Sequence, residues 1–358
     1  MDGHAAGSGV RTAHADSVAA VQTARPWQRE EREELELQRL APGATHAVGA
    51  GHRPRTEEPD AERTCFERDR DRITHAAAFR RLAGKTQVFI FPDDHQRTRL
   101  THALEVAQVA TSIARSLRLN VALTEAIAMG HDCGHGPAGH ASEDAFSPYV
   151  PGGFDHAVWG ADVVLTGLNL CVETTDGVRN HSWSRPAPAT PEGEVVSWAD
   201  RIAYVCHDFQ DAVRAGILTP DDLPDEVRTA VGARSSDQIG SFVLAVLAAI
   251  DQTGNVGMTE PAASALRTFR DFNFERIYLR PAARRQAERV IRLLRGLVDC
   301  FADAPRRLPE PDAVDVEPGS TAATALAVRY VSGMTDRYAL GLGVELLGWR
   351  PDDLPRGV

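Results

Sequence analysis

Apolar side chains recur at intervals of three and four residues along most of the chain from about Glu62 onward. This spacing is typical of amphipathic helices. In the clearest stretch, Thr98 to Leu117, the residues that share the predicted apolar face are Leu100, Leu104, Ala107, Ala110, Ile113 and Leu117. Asn120 is a helix-capping residue type in front of a second apolar stretch, Val121 to Met129. Because alternating strand patterns are scarce, the sequence predicts an all-α fold, a helical bundle with additional C-terminal helices.

Further helices are predicted wherever the same spacing returns. They cover residues 140–146, 155–166, 195–215, 224–229, 241–251, 260–278, 282–302 and 321–340. Between the second helix and His140, a run of helix-breaking residues (Gly134, Gly136, Pro137 and Gly139) interrupts the pattern. The side chains around this run are therefore expected on an irregular turn between two helices.

Changes in composition divide the chain into three parts. Residues 1–60 are rich in Ala, Gly, His, Pro and Glu, and we expect them to be mostly extended or poorly ordered, with one short charged helix over residues 28–38. Residues 61–302 form the predicted core domain. Residues 303–358 are predicted to contain a proline-punctuated linker and a terminal helix.

Composition and charge narrow the class of protein. The 358-residue chain carries a net charge of −11, which disfavours a broad non-specific grip on nucleic acid. Its longest apolar run has nine residues, whereas a membrane-spanning helix needs roughly 20. The five cysteines show no CxxC pairing, and no signal peptide is recognisable at the N-terminus. We therefore expect a cytoplasmic protein with reduced thiols and no membrane association.

Histidine and aspartate follow the apolar faces of three separate predicted helices. They are His102, the adjacent pair His131 and Asp132, and Asp200. Two imidazoles and two carboxylates make a mixed nitrogen and oxygen site for a divalent cation, for which Mn, Mg, Fe, Co and Ni are all chemically reasonable. The sequence thus predicts a metal site formed by these four residues.

Two further spacings place polar groups on common helix faces. His140 and Glu143 lie three residues apart, so the carboxylate can orient the imidazole for proton transfer. Asp200, Tyr204 and Asp208 follow one another at intervals of four, with rises of about 6 and 12 Å from the first. This stripe is as long as a nucleotide.

The motifs around these residues resemble those of HD-domain phosphohydrolases, and more specifically the deoxyguanosine triphosphate triphosphohydrolase family. The matching segments are FRRLAGKTQVF (79–89), RTRLTHALEVAQ (97–108), HDCGHGPAGH (131–140), GGFDH (152–156), DRIAYVCHDFQDAVRAG (200–216) and FNFERIY (272–278). The resemblance implies hydrolysis of a deoxynucleoside triphosphate, with dGTP favoured, to the deoxynucleoside and inorganic triphosphate. It also implies a homo-oligomer.

The resemblance further implies roles for individual residues. It implies that His140, Glu143 and His135 are catalytic. His140 would transfer a proton, and Glu143 would orient the His140 ring. The residues implied in substrate binding are Arg99 and His156 at the phosphates, Gln87, Tyr204 and Asp208 at the sugar, and, more weakly, Lys85, Arg270 and Tyr278. The Tyr204 ring would leave little room for a 2′-hydroxyl.

Departures from the family pattern concern the shape of the pocket. An aromatic residue common in the family is replaced by Ala138, and Ala157 and Val158 stand where Asn and Gln are common. Two alternatives stay open. One is an HD phosphohydrolase acting on a monophosphate, a cyclic nucleotide or an alarmone. The other is a catalytically silent protein that binds nucleotides or single-stranded nucleic acid.

Overall fold

The computed structural model of the chain describes residues 2–5, 7, 9–18, 20–21, 25–90, 96–309, 313 and 315–355. Within these residues the fold is all-α, as predicted, apart from one short antiparallel hairpin of β1 (His4–Ala5) and β2 (Arg11–Thr12). The helices are α1 Arg29–Arg39, α2 Cys65–His75, α3 Ala77–Arg81, α4 Arg99–Leu117, α5 Val121–Gly130, α6 His140–Phe146, α7 His156–Trp159, α8 Val172–Asn180, α9 Pro191–Arg214, α10 Asp225–Val231, α11 Ser235–Thr253, α12 Glu260–Asn273, α13 Pro281–Asp303, α14 Thr321–Ser332 and α15 Asp336–Leu347.

Helices α2, α4, α5 and α9 form the centre of the larger hydrophobic core. Helix α5 begins as predicted, because the Asn120 side chain accepts a hydrogen bond from the backbone N–H of Leu123. The face that α4 buries agrees with the predicted one only in part, since Ala107, Ala110 and Ile113 are buried. Ala103 and Val106 are fully buried, whereas Leu104 is 48% exposed. Small residues let α5 and α9 approach α4 closely, so the buried stripe is centred on alanines rather than on leucines.

A second apolar cluster joins α13, α14 and α15 to α6. Where the sequence predicts one terminal helix, the structure has two, because the chain turns at Gly333 and Thr335 caps α15 by accepting a hydrogen bond from the N–H of Tyr338. Since α6 begins at His140, the C-terminal helices pack directly behind a candidate catalytic residue.

Two further regions differ from the predicted elements. Helix α8 was not expected, because its sequence, VETTDGVRN, has few apolar residues. Helix α7 is only four residues long and continues as a π-helical turn over Gly160–Val164, where a single longer helix was predicted.

The N-terminal segment is attached to the core by buried polar contacts. It contains α1, close to the predicted charged helix, and Thr45 donates through its backbone N–H and its hydroxyl to the fully buried Glu192. Arg53 pairs with the fully buried Asp69 at 2.6 Å. Much of residues 1–60, predicted to be mainly extended or poorly ordered, therefore packs on the helical core.

Among the described residues, no helix has the length and apolar content needed to cross a membrane. The five cysteines are free thiols; Cys133, Cys171 and Cys206 are buried, and Cys65 and Cys300 are half-buried.

Candidate metal centre and substrate cleft

A cleft of about 550 Å³ opens between α4, α9, α12, α13 and the segment that precedes α6. Most of the residues that the sequence singled out line this cleft. They are Gln87, Arg99, His102, Asp132, His135, His140, His156, Asp200, Tyr204, Asp208, Arg270 and Tyr278. The fold therefore gathers in one place side chains that lie up to about two hundred residues apart in the chain.

Three of the four predicted metal ligands meet at one end of the cleft. His102 lies in the first turns of α4, His131 follows the end of α5, and Asp200 lies in the middle of α9. The Nε2 atom of His102 is 3.0 Å from Oδ1 of Asp200, and that of His131 is 3.7 Å from the same oxygen. The ligand atoms of these three residues all lie within 4.8 Å of one another, a spacing that one cation can bridge.

The His131 imidazole is oriented for metal binding. Its Nδ1 lies 2.6 Å from the carbonyl oxygen of Ala128, which can only accept a hydrogen bond, so Nδ1 carries the proton and Nε2 carries a lone pair. This Nε2 is buried and has no hydrogen-bond partner within the described part of the chain. An unpaired buried nitrogen is costly, and a cation between His131 and Asp200 would satisfy it. The residues present therefore fit a divalent metal ion.

The fourth predicted ligand, Asp132, is shared with neighbouring groups. Its Oδ1 lies 3.5 Å from Nε2 of His131 and 3.2 Å from Nε2 of His135, and its Oδ2 accepts a 2.7 Å hydrogen bond from Arg99. Burial opposes ionisation, but Arg99 and the neighbouring histidines together outweigh it and hold the pKa of Asp132 well below its usual value. Asp132 is thus an anion that is available to a cation through Oδ1.

The pKa values of Asp200 and His102 are shifted by the hydrogen bond between them. Burial works against ionisation of Asp200, but the hydrogen bond from His102 and the other favourable contacts of the carboxylate lower its pKa. Burial alone would lower the pKa of His102, yet its hydrogen bond to Asp200 raises it. A metal ligand must be a neutral imidazole. A cation that binds at His102 would therefore displace the proton that the contact with Asp200 favours on this ring.

Glu143 is the centre of a second cluster, beside the first. Its Oε1 is 2.5 Å from Nδ1 of His156, 3.4 Å from Nδ1 of His140 and 3.8 Å from Nδ1 of His135. Burial opposes the charge, but hydrogen bonds from His140 and His156 lower the pKa of Glu143 below its usual range. The side chain of His140 is 74% exposed, so its imidazole can reach a bound substrate.

His181, which sequence patterns did not single out, completes this cluster. Its Nδ1 donates to the carbonyl of Val178, so its Nε2 accepts, and Nε2 of His156 lies 3.3 Å away. His156 must then donate through both nitrogens, to Glu143 and to His181. Burial lowers the pKa of His156, but the hydrogen bond to Glu143 and the negative charges of Glu143 and Asp132 together outweigh it and raise the pKa. Burial and neighbouring histidines lower the pKa of His181 to about 4. A cationic His156 suits a cleft for phosphates.

Close backbone packing shapes the turn between α5 and α6. A Cβ atom on Gly134 would lie 1.9 Å from the carbonyl oxygen of His156, so only glycine fits there. Ala138 adopts a left-handed conformation with φ 62°, and Gly139 follows with φ 63°. The helix breakers seen in the sequence therefore let the chain turn sharply between His131 and His140.

The far end of the cleft is polar and aromatic. Tyr278 donates a short hydrogen bond to Asp208, and burial raises the pKa of Asp208 to about 7. The Arg201 guanidinium lies 3.9 Å from the centre of the Trp183 ring, a cation–π stack on the cleft wall that the sequence did not reveal. Tyr204 is placed between this end and the metal ligands, as the helical spacing predicts.

Lys85 is not on the cleft, although it was predicted to bind substrate. Its side chain is buried, and its ammonium group donates to the carbonyl oxygens of His135 and, at 3.1 Å, Ser332. Burial lowers the pKa of Lys85 to about 8. With its donors directed at backbone carbonyls, Lys85 supports the turn behind the cleft rather than facing a phosphate.

Two parts of the chain match known protein families. Residues 99–205 match the HD domain, and residues 256–343 match the phosphohydrolase-associated domain. The helical fold and the His/Asp cluster define an HD-domain protein. A solved structure of a hypothetical protein from Aquifex aeolicus has a similar fold, with a TM-score of 0.50 and 17% identity over 80% of this chain and 69% of that one.

Two curated relatives are more similar in sequence. The deoxyguanosinetriphosphate triphosphohydrolase-like protein of Caldanaerobacter subterraneus subsp. tengcongensis is 43% identical, covering 87% of this chain and 93% of that protein. One from Clostridium perfringens is 41% identical over 86% and 92% of the two chains. The chain belongs to the deoxyguanosinetriphosphate triphosphohydrolase-like family of HD-domain phosphohydrolases, which confirms the resemblance seen in its motifs.

Proposed function

We propose that the protein hydrolyses a deoxynucleoside triphosphate, with dGTP favoured, to the deoxynucleoside and inorganic triphosphate. The observation that carries this proposal is that His140 and His156, which contact Glu143, line the same cleft as His102 and Asp200 of the predicted metal site. The names of the relatives support the choice of dGTP. We expect the enzyme to act on the cytoplasmic nucleotide pool as a homo-oligomer.

His102, His131, Asp132 and Asp200 would hold a divalent cation, with Mn, Mg, Fe, Co and Ni as the candidates. When bound, the ion would supply Lewis-acid polarisation of a phosphate oxygen. His131 is oriented for this by the Ala128 carbonyl, and Asp132 by Arg99. The second cluster is then free to serve proton transfer and phosphate binding.

In the proposed reaction, water attacks the α-phosphorus and the bond from that phosphorus to the 5′-oxygen breaks. The attacking water loses a proton and the leaving 5′-oxygen gains one. His140 is exposed to the cleft and 3.4 Å from Glu143, so it is the group we assign to proton transfer, with Glu143 holding its ring. Arg99 would bind phosphate oxygens. The two N–H groups of His156 are taken by Glu143 and His181, so His156 would contribute positive charge near the phosphates rather than a hydrogen bond. His135, neutral because burial lowers its pKa, would donate at most one hydrogen bond there.

The rest of the nucleotide would lie along α9. The rise from Asp200 to Asp208 is about 12 Å, which is roughly the length of a nucleotide. Tyr204 would exclude a 2′-hydroxyl, while Gln87 and Asp208 would bind the sugar. Arg270 and Tyr278 line the same end and would contact the remainder of the substrate.

Product analysis with each of the four deoxynucleoside triphosphates and Mn²⁺ tests this proposal. We expect inorganic triphosphate and the deoxynucleoside, separated by ion exchange, and loss of turnover with EDTA that added Mn²⁺ restores. Release of orthophosphate or pyrophosphate would instead favour an HD phosphohydrolase of another substrate class. No turnover of any nucleotide, with ligands retained intact, would favour a binding protein.

Variants separate the two clusters. His140→Ala should keep its metal, measured per chain by elemental analysis, and lose rate by roughly 10²-fold or more. Asp200→Ala should lose metal and turnover together. His75→Ala, at an exposed histidine outside the cleft, is the matched control and should behave like the unmodified protein. An unchanged kcat in His140→Ala would remove His140 from the proposed role.

A further inference from the structure

Asp336 is a buried carboxylate that joins the C-terminal helices to two loops of the cleft. It lies in the first turn of α15 and is 6% exposed. Its Oδ1 accepts a 2.8 Å hydrogen bond from the backbone N–H of Ala138. Its Oδ2 accepts one at 3.0 Å from the backbone N–H of Thr86 and a short one from the Thr86 hydroxyl. All three donors come from outside the C-terminal region.

Both loops lead directly to residues of the cleft. Thr86 immediately precedes Gln87, and Ala138 lies two residues before His140. Ala138 is one of only a few described non-glycine residues with positive φ, a conformation that an L-residue keeps only when its surroundings impose it. The hydrogen bond from Ala138 to Asp336 is such a restraint, at the point where the chain turns into α6.

Lys85 strengthens the same connection from the adjacent position. Its ammonium group donates to the carbonyl of His135 and to that of Ser332, the last residue of α14. The turn before His140 is therefore held at both ends, at His135 by Lys85 and at Ala138 by Asp336. The second acceptor of Lys85, Ser332, and the acceptor of Ala138, Asp336, lie at the end of α14 and the start of α15.

We propose that Asp336 is a positioning residue for the active site: by accepting hydrogen bonds from Thr86 and Ala138, it holds the Gln87 and His140 sides of the cleft in one arrangement. The phosphohydrolase-associated region is then a working part of the site rather than an appendage to the HD domain. The kinetic part of this inference rests on the proposed function, whereas the structural part does not.

Asp336→Asn tests the proposal with little change in size. An amide has one acceptor oxygen, and its NH₂ group would face an N–H donor, so one of the two backbone N–H groups is left buried without a partner. Glu345→Gln, an exposed carboxylate to amide change on the same helix, is the matched control. Both proteins are compared for metal content, thermal unfolding, amide hydrogen exchange and steady-state kinetics.

In Asp336→Asn we expect exchange to accelerate roughly tenfold or more in peptides covering residues 83–90 and 134–141, and not elsewhere. Metal per chain should be unchanged. kcat should fall by roughly tenfold or more, with a smaller change in KM, because a displaced His140 affects the chemical step more than binding. Glu345→Gln should show none of these effects.

Two results would overturn the inference. One is amide hydrogen exchange in Asp336→Asn that rises evenly over the whole protein, as expected of a residue with a general role in folding, or that rises in neither of the two peptides. The other is a kcat per metal-loaded molecule equal to that of the control. If Asp336→Asn does not fold, Thr86→Val removes one of the three donors, and a smaller rise in exchange confined to the same peptides is expected. If the unmodified protein releases no triphosphate, the proposed function fails, and the exchange data still decide the role of Asp336.

Discussion

At the scale of single residues, ionisable side chains inside the cleft have pKa values that depend on burial and on partners distant in sequence. Asp208 is the clearest case, because burial raises its pKa to about 7, and the hydrogen bond from Tyr278 and the charges of His102 and Arg97 only partly oppose this. Asp211 adds to the rise. The carboxyl group is therefore costly to the folded state whenever it is ionised.

Asp208→Asn should stabilise the metal-free protein at pH 8 more than at pH 5. The folded pKa lies above the unfolded value of about 3.9, so the stability associated with Asp208 is present at low pH and is lost as pH rises towards 7. The amide keeps an acceptor for Tyr278 and has no charge to lose. We expect the difference in Tm, variant minus wild type, to be a few degrees larger at pH 8, measured by calorimetry in EDTA.

Asp251→Asn, at an exposed position of α11, serves as the control for this comparison. Its Tm difference should be the same at both pH values. A difference for Asp208→Asn that is equally flat, or that shrinks as pH rises, would show that Asp208 is not a buried acid with a raised pKa.

Some site residues could be predicted from their position in a motif, and others could not. His102, His131, Asp132 and Asp200 follow helix faces in a recognisable order, so sequence was sufficient to propose them. His181 and Asp336 act through contacts with residues 25 and 198 positions away, and no local spacing marks them. Lys85 was assigned to the cleft from its neighbours in sequence, but its direction is decided by carbonyl groups from two other segments.

At the scale of elements, backbone packing restricts which residues the turn between α5 and α6 can contain. Gly134 lies against the backbone of α7, with Gly160 N 2.4 Å and the His156 carbonyl oxygen 1.9 Å from the place that a Cβ would occupy. Backbone atoms cannot rotate away as side chains can. A methyl group at this position would push the turn away from α7. His135, in the turn, would then move away from His156, in α7.

Gly134→Ala should therefore lower the free energy of unfolding by ~3 kcal/mol or more, measured by urea denaturation, and reduce metal content per chain. The matched control is Gly167→Ala. Its added Cβ would meet no atom within 4 Å and its φ is not positive. If the two variants prove equally stable, the close approach of the turn to α7 is not as described.

Periodicity identified most helices but not which side of each is buried. In α4 the predicted face included Leu104, which is half exposed, whereas alanines form the contact. Helix α8 escaped detection because it packs through small residues: a Cβ on Gly177 would lie 2.4 Å from the Ile127 side chain. Hydrophobic spacing detects large apolar residues, whereas close helix packing often depends on small ones.

At the scale of the whole molecule, the segment before residue 61 completes the core. Glu192 is fully buried and accepts hydrogen bonds from the N–H and hydroxyl of Thr45 and from the N–H of Asn120. Asp69 is fully buried beside Arg53. Without these partners both carboxylates would be left short of donors inside the protein, which is unfavourable.

Deleting residues 2–60 should lower the free energy of unfolding by on the order of 3–5 kcal/mol or prevent folding, because the buried Glu192 then loses Thr45 and the buried Asp69 loses the charge of Arg53. Deleting only residues 2–24 removes the exposed hairpin β1–β2 and keeps Thr45 and Arg53, so we expect little change. Chemical denaturation of the three proteins side by side provides the measurement. Equal stability of the longer deletion and the full chain would contradict a structural role for this segment.

The order of helices, the helix breakers and the succession of His and Asp residues are properties of the chain itself. They determine an all-α HD-domain protein and its family, because helix periodicity and motif spacing are local. Tertiary structure alone decides that Lys85 faces away from the cleft, that His181 holds His156, and that Asp336 reaches back to Thr86 and Ala138. These contacts join segments whose separation along the chain carries no periodic signal, so only folding brings their donors and acceptors together.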